Sequence, residues 1–271
     1  MPPADGAYLR YVAPGDSRTE GLGDGDDDTG LRGFADRLAE RLARHEPSLQ
    51  YANLAVRGRL AARIHAGQPA PALALRPDPA TVVAGVNDLL RPRFDADEVA
   101  DHLEAMFAAL TAQGARVATI TVPDPARVSP LARPLVPRVT ALNQRIRRAA
   151  RRHGVIVAGT ALHPVASDSR LWSPDRLHAS SLGHQRVAAA LAHALCLPGS
   201  DDTWTRPLPP APRATGWYAA GAELRWAAGF LGPWLIRRPK GRSSGDGRTA
   251  KRPLLLPVRT DGGTPSRADA H

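Results

Sequence analysis

Tyr8-Leu9-Arg10-Tyr11-Val12-Ala13-Pro14-Gly15-Asp16-Ser17 is the stretch whose reading decides the fold. Its first six residues make a short β-like run, which Pro14-Gly15 ends, leaving a serine just past the strand terminus. In an open parallel sheet, ligands bind outside the carboxyl ends of the strands, so a serine there is well placed for chemistry. Alone, Gly-Asp-Ser is an ordinary turn. Its weight comes from three later stations: Gly58, Gly85-Val86-Asn87-Asp88 and Asp175-Arg176-Leu177-His178.

Outward from this stretch, β-like runs alternate with helical spacing, the pattern of a parallel α/β sheet. Residues 31–45 read as a helix through Phe34, Leu38 and Leu42, and 49–54 as a second strand. A helix is expected near 60–65 and a third strand over 81–84. Residues 97–113 read as a helix with Val99, Leu103, Met106, Phe107 and Leu110 on one face. A strand over 115–122, a basic amphipathic helix over 135–153, a strand over 154–158 and a last helix over 181–195 follow, with Ser181 as its N-cap. No internal repeat is visible. On this outline Ser17 follows strand one, Gly58 strand two, Asn87 strand three, and the Asp175/His178 loop strand five. Four stations scattered over the chain would then meet on one edge of the sheet.

The residue types suit acyl transfer. A serine hydroxyl needs a base to take its proton, and an imidazole suits that role near neutral pH. The imidazole in turn needs a carboxylate on its other nitrogen to hold the tautomer. Asp-x-x-His places both groups in one turn of loop, so Asp175 can reach the inner nitrogen of His178 while the outer one faces Ser17. A tetrahedral oxyanion needs preset donors. The backbone N–H groups of Ser17 and Gly58 and the side-chain amide of Asn87 are suitable in type. Asp16 reads as holding the turn by hydrogen bonds.

These four blocks together resemble the SGNH hydrolases of the GDSL type. Gly15-Asp16-Ser17-Arg18-Thr19-Glu20-Gly21 is similar to the first block of that family, and Asn53-Leu54-Ala55-Val56-Arg57-Gly58 to the second. Gly85-Val86-Asn87-Asp88 and Asp175-Arg176-Leu177-His178 are similar to the third and last. The resemblance spans about residues 8–196. It implies Ser17 as nucleophile, Gly58 and Asn87 with Ser17 as oxyanion donors, and Asp175 with His178 as the base system. It also implies a three-layer α/β/α fold with a flavodoxin-like parallel five-stranded sheet in the order 2-1-3-4-5. The first block departs from the family in carrying Arg18 where an apolar residue is often found.

Composition bounds what else is reasonable. A chain of 271 residues, 43% apolar, holds one α/β domain, expected over residues 1–199, and an appendage over 200–271. Of the net +10, 12 Lys/Arg against 6 Asp/Glu fall from Ser200 onward, leaving 24 against 20 before it. Nucleic acid is therefore not an expected partner of the main domain. Cys196 is the only cysteine, so no intramolecular disulfide can form and no Cys-based metal cluster is expected. No secretory leader or membrane-spanning run is visible, and a cytoplasmic location is expected.

No cofactor and no metal is expected. Asp24, Asp26 and Asp28 fit the first ligand positions of a calcium loop, but Thr29 stands where glycine is required and Ala35 where the bidentate Glu is required. A solvated flexible loop is expected there. His184 reads as a packing or capping residue. His45, His65, His102, His153 and His193 read as helical histidines without a partner at metal spacing. Trp172 is a candidate for lining the pocket.

After Leu197 the chain changes character. Pro207, Pro209, Pro210 and Pro212 read as a stiff connector, and 216–236 as one helix with Trp217, Leu224, Leu231 and Trp234 at near-heptad spacing. Arg237, Arg238, Lys240 and Arg242 follow, so contact with an anionic membrane surface is one reading. Packing of the stripe on the domain is preferred, because Trp226 and Phe230 lie off it. Residues 237–271 read as disordered toward their end. The function read from the whole is a serine hydrolase acting on a small-molecule, lipid or carbohydrate ester. Acyl transfer to an alcohol through the same acyl-enzyme, and a non-catalytic binding module acting through the basic tail, are the competing readings.

Overall fold

The structure, a computed structural model, describes residues 8–210 and 244–258 and the single positions 221, 228 and 229. The tail helix expected over 216–236 and the basic cluster after it lie, apart from those single positions, outside the described residues. The chain runs β1 (Arg10–Ala13), α1 (Ser17–Glu20), α2 (Phe34–His45), β2 (Gln50–Asn53), α3 (Ala61–Gly67), α4 (Pro69–Ala74) and β3 (Pro79–Thr81). It continues through α5 (Val86–Leu89), α6 (Ala96–Ala112), β4 (Arg116–Ile120), α7 (Pro125–Val128), α8 (Val136–Arg152), β5 (Ile156–Ala158), α9 (Ser181–Ala194) and β6 (Arg252–Pro257).

The main sheet has the order 5-4-3-1-2-6. Strands β1 to β5 are parallel and follow the expected order 2-1-3-4-5. Each strand feeds two cores, because successive side chains point to opposite faces. Tyr11 and Ala13 pack with Phe34, Leu38 and Leu191 on the side of α2 and α9. Val12 between them packs with Ile64, Leu103 and Leu142 on the side of α3, α6 and α8. Such two-sided burial explains why the strands read as short apolar runs rather than alternating ones. The third strand lies two residues earlier than expected, and a parallel bridge from Gly15 to Val83 extends its pairing with β1 into the nucleophile turn. Helix starts follow local chemistry. Asp95 caps α6 by accepting from Asp97 and Glu98, and Asp36 closes back on the Gly33 N–H at α2. The cap of α9 is Ser180, whose hydroxyl accepts from Gly183, rather than the expected Ser181. Two adjacent serines cannot be separated by residue type, only by which one holds extended φ/ψ.

The sheet has six strands where five were expected. The sixth comes from the appendage: β6 lies antiparallel on β2, with Tyr51 opposite Leu256 and Asn53 opposite Arg252. Its flanking prolines remove N–H donors, which suits an edge strand and hides it from a periodicity reading. Arg252 secures the join by donating to the Tyr51 carbonyl at 2.7 Å and by lying 5.3 Å over the Tyr51 ring. Lys251 adds a 2.7 Å bond to Asp36 and a 2.9 Å bond to the Leu31 carbonyl. No helix among the described residues is long and apolar enough to cross a membrane.

Truncation after residue 243 removes β6 and exposes the edge of β2. With Tm moving by about 2–4 °C per kcal/mol in a domain of this size, and several ladder bonds at about 1 kcal/mol each, the truncated protein should melt at least about 5 °C lower. Differential scanning calorimetry checks this; an unchanged melting curve would mean that β6 adds nothing to the sheet.

Candidate active site

The turn that carries Ser17 is held from both sides. Gly15 donates to Gln68 Oε1 at 2.7 Å and accepts from Gln68 Nε2 at 3.0 Å, so one buried amide grips both backbone groups of the residue. A Cβ at Gly15 would lie 2.2 Å from Thr19 Oγ1 and 2.9 Å from the Val83 carbonyl, so only glycine lets α1 fold back this tightly. Asp16 caps α1 by accepting from the Arg18 N–H at 3.0 Å, the turn-holding part expected of it. Burial pushes the Asp16 carboxyl up to about 6, against the pull of the Arg18 N–H.

Asp175 and His178 lie on the loop after β5, which crosses back over the sheet edge to Ser17. His178 Nε2 is 2.9 Å from Ser17 Oγ, and His178 Nδ1 is 2.6 Å from Asp175 Oδ2. The other carboxylate oxygen, Oδ1, accepts from Ser173 Oγ at 2.6 Å and from the backbone N–H groups of Leu177 and His178 at 2.9 and 3.0 Å. Burial works against ionisation of Asp175, yet the bonds and charge of His178 and the Ser173 hydroxyl outweigh it and hold the carboxyl well below its usual range. An ionised Asp175 keeps the ring proton on Nδ1 and leaves Nε2 to accept from the hydroxyl. The three groups form a continuous line that can draw a proton off Ser17 Oγ.

The remaining predicted residues surround this line. Asn87, at the start of α5, donates through Nδ2 to the Arg59 carbonyl at 3.0 Å and, over a long 3.3 Å, to Asp16 Oδ2. The first bond orients the amide, and the second N–H is the one that an incoming oxygen could take. Gly58 follows β2 with φ of 73°, a left-handed conformation that favours glycine. Its loop is pinned to α1 by Arg57, which gives Glu20 three bonds of 2.6, 2.9 and 2.7 Å and reaches Asp27 at 2.7 Å. Asp88 ties the β3 loop to the start of α3 by accepting from Ala61 at 3.1 Å. Gln68, Glu20, Arg57 and Ser173 were not singled out from sequence. Glu20 and Arg57, opposite charges inside two motif blocks, were open to recognition as a pair, but nothing local marked Gln68.

The acidic loop is exposed to solvent over residues 25–30, as expected, and carries internal pairing that the sequence did not announce. Residues Gly25–Asp26 and Gly30–Leu31 pair as a small hairpin. Asp24 bonds Arg37 at 2.6 Å, Asp26 closes its own turn on Thr29, and Asp27 is shared by Arg57 and Arg248. His65 and His102, 37 residues apart, meet with their Nδ1 atoms 3.0 Å apart, a contact that no spacing rule anticipates. No group of three or more metal-ligating side chains occurs among the described residues.

His184 packs and ties, as expected of it. Fully buried, its Nδ1 accepts from the Phe34 N–H and its Nε2 donates to the Leu22 carbonyl, each at 3.0 Å. A cavity of about 370 Å³ opens beside His178, a size at the lower end of small-molecule sites. Leu22, Val86, Leu89, Val122 and Val139 make its walls apolar, and Arg18, Trp172 and Arg176 also face it.

A serine, an imidazole and a carboxylate thus lie in one hydrogen-bonded line at the switch point of a parallel sheet. Residues 13–186 match the model of the GDSL-like lipase/acylhydrolase family. The chain belongs to this family and is an ester-hydrolysing enzyme. Among solved structures it is similar to LAE5, an α/β hydrolase enzyme from the metagenome of Lake Arreo, Spain, at 22% identity and a TM-score of 0.58 over 71% of this chain and 97% of that one. It is also similar to the lipase/acylhydrolase from Enterococcus faecalis, at 22% identity and a TM-score of 0.56 over 68% and 94%. A catalytic mutant of Axe2, an acetylxylan esterase from Geobacillus stearothermophilus, gives 17% identity and a TM-score of 0.60 over 74% and 98%. At these identities the likeness concerns the fold. No curated protein matches the sequence.

Burial lowers the His184 pKa to about 4 from 6.5. The unfolded chain therefore binds the proton first, so the full stability is present above pH 6.5 and is lost as pH falls toward 4. At about 1.4 kcal/mol per unit the loss is on the order of 3 kcal/mol. Urea unfolding at pH 7 and pH 4.5 should show it, and His184→Gln should flatten that slope; an equally steep slope in the variant would clear His184 of the effect.

Proposed function

We propose that this enzyme hydrolyses carboxylic esters through an acyl intermediate on Ser17. The observation that carries the reading is the unbroken line from Ser17 Oγ through His178 to Asp175, at 2.9 and 2.6 Å. In the first step His178 Nε2 takes the hydroxyl proton as Ser17 Oγ attacks the ester carbonyl. The imidazolium that forms is steadied by Asp175, which stays ionised. The carbonyl oxygen becomes an oxyanion, for which the N–H groups of Ser17 and Gly58 and the Asn87 amide are the donors. His178 then gives its proton to the departing alcohol, and the same base activates a water to release the acid. The apolar cavity beside His178 suits a hydrocarbon portion of the ester.

A fluorophosphonate probe should label the protein at Ser17, because an activated serine attacks it readily. Mass spectrometry of tryptic peptides checks the position. Labelling that persists in Ser17→Ala would remove Ser17 from the mechanism.

Asn87→Ala should lower kcat by roughly a hundredfold or more, the usual cost of one oxyanion donor, with KM on a small soluble ester changing far less. Steady-state kinetics on a 4-nitrophenyl ester checks both constants, and an unaltered kcat would exclude the amide as a donor.

A further inference from the structure

Arg18 follows Ser17 directly on α1, and its side chain faces the cavity that His178 lines. It also borders a second, smaller cavity of about 60 Å³ with apolar walls that include Phe34, Ile120 and Trp204. The guanidinium lies 5.8 Å from the centre of the Trp172 ring, which borders both spaces. Other arginines around the site are matched: Arg37 with Asp24, Arg57 with Glu20 and Asp27, Arg170 with Asp168. The Arg18 guanidinium makes no ion pair and no hydrogen bond with a described residue.

The nearby carboxylates have other duties. Asp16 holds the Arg18 N–H and the Asn87 amide, and Asp175 holds His178, Ser173 and the Leu177 N–H. Burial lowers the Arg18 pKa, with Asp16 and Asp175 acting in the opposite direction. An arginine nevertheless stays protonated in a protein. Arg18 is half-buried on the cavity wall, and a cation that has given up part of its hydration without a matched partner is stabilised by an anion that enters to pair with it. Its planar fork is shaped for the two oxygens of a carboxylate or phosphate. Arg176 lines the same cavity.

We propose that Arg18 is a specificity residue for anionic esters: the substrate carries a carboxylate or phosphate that pairs with the guanidinium while its ester carbonyl lies at Ser17 and its apolar portion fills the larger cavity. The proposal rests on the hydrolase reading above. It names the substrate class as amphiphilic and anionic, rather than a neutral ester.

Two matched pairs test it and place the anion. 4-Nitrophenyl butyrate against 4-nitrophenyl hydrogen succinate varies charge on the acyl side. 1-Octanoylglycerol against its 3-phosphate varies charge on the alcohol side. The wild-type enzyme should prefer the anionic member of one pair by about tenfold or more in kcat/KM, chiefly through KM. Arg18→Leu should bring that ratio near one, and Arg18→Lys should retain part of it, because a point charge replaces the fork. Circular dichroism and melting curves establish that the variants fold. A ratio near one in the wild type, or a preference that survives Arg18→Leu, overturns the proposal and leaves the hydrolase reading standing. An equal loss on charged and neutral members also overturns it, since that marks Arg18 as a prop for Trp172. If no ester is turned over and Ser17 resists fluorophosphonate, the hydrolase reading falls instead. Calorimetric binding of each pair to Ser17→Ala, with and without Arg18→Leu, then decides the Arg18 proposal without turnover: about a tenfold tighter Kd for the anionic member, lost with Arg18→Leu, supports it, and equal Kd values overturn it.

Discussion

The grip of the Gln68 amide on Gly15 is the interaction on which the site depends. It satisfies the Gly15 N–H at the end of β1 and gives the Gly15 C=O a 3.0 Å donor beside the longer 3.3 Å bond from the Val56 N–H. It also fixes the direction in which the chain leaves the sheet, and so the start of α1 and the place of Ser17. Loss of one partner of such a buried pair leaves the other unsatisfied, which costs more than the bond itself is worth. Asp16, Glu20 and Arg57 work within this frame, stiffening α1 and the Gly58 loop against each other.

The electrostatics of the site divide into charges that are spent and charges that are held ready. Asp175 is kept ionised by donors that include the Ser173 hydroxyl, two backbone N–H groups and the imidazole it orients. Asp16, buried and with its pKa raised, holds the Arg18 N–H and the Asn87 amide. Glu20 with Arg57, and Asp24 with Arg37, are closed pairs that hold loops. His184, neutral near pH 7, serves as a two-ended tie between α9, the loop after α1 and the start of α2. In this company Arg18, matched by no described carboxylate and set over Trp172, stands apart.

The C-terminal segment belongs to the same body as the site. Residues 252–257 complete the sheet beside β2, the strand that leads to Gly58, and Arg248 shares Asp27 with Arg57. The stability of the sheet edge and the posture of that loop are therefore joined through a part of the chain that composition alone assigned to an appendage.

What the sequence by itself determined is what local chemistry encodes. Alternating apolar runs and helical stripes placed nearly every core strand and helix within a few residues, because burial faces repeat with periods that neighbours in sequence share. Motif order, together with the resemblance it carried, led to the 2-1-3-4-5 core, and with it to Ser17, Gly58, Asn87, Asp175 and His178 on one edge. What only the tertiary structure decided are contacts between residues far apart in the chain. Gln68 reaches Gly15 across 53 positions, His65 meets His102 across 37, and β6 finds β2 some 200 residues away. None of these has a local signature: a glutamine between helices, a histidine on a helix and a proline-flanked run of three leucines each acquire meaning only from what the fold sets opposite them. The same holds for Arg18, whose identity was plain in the chain but whose place near the Trp172 ring, beside an apolar cavity, comes from the fold that brings α1 to a loop some 150 residues later.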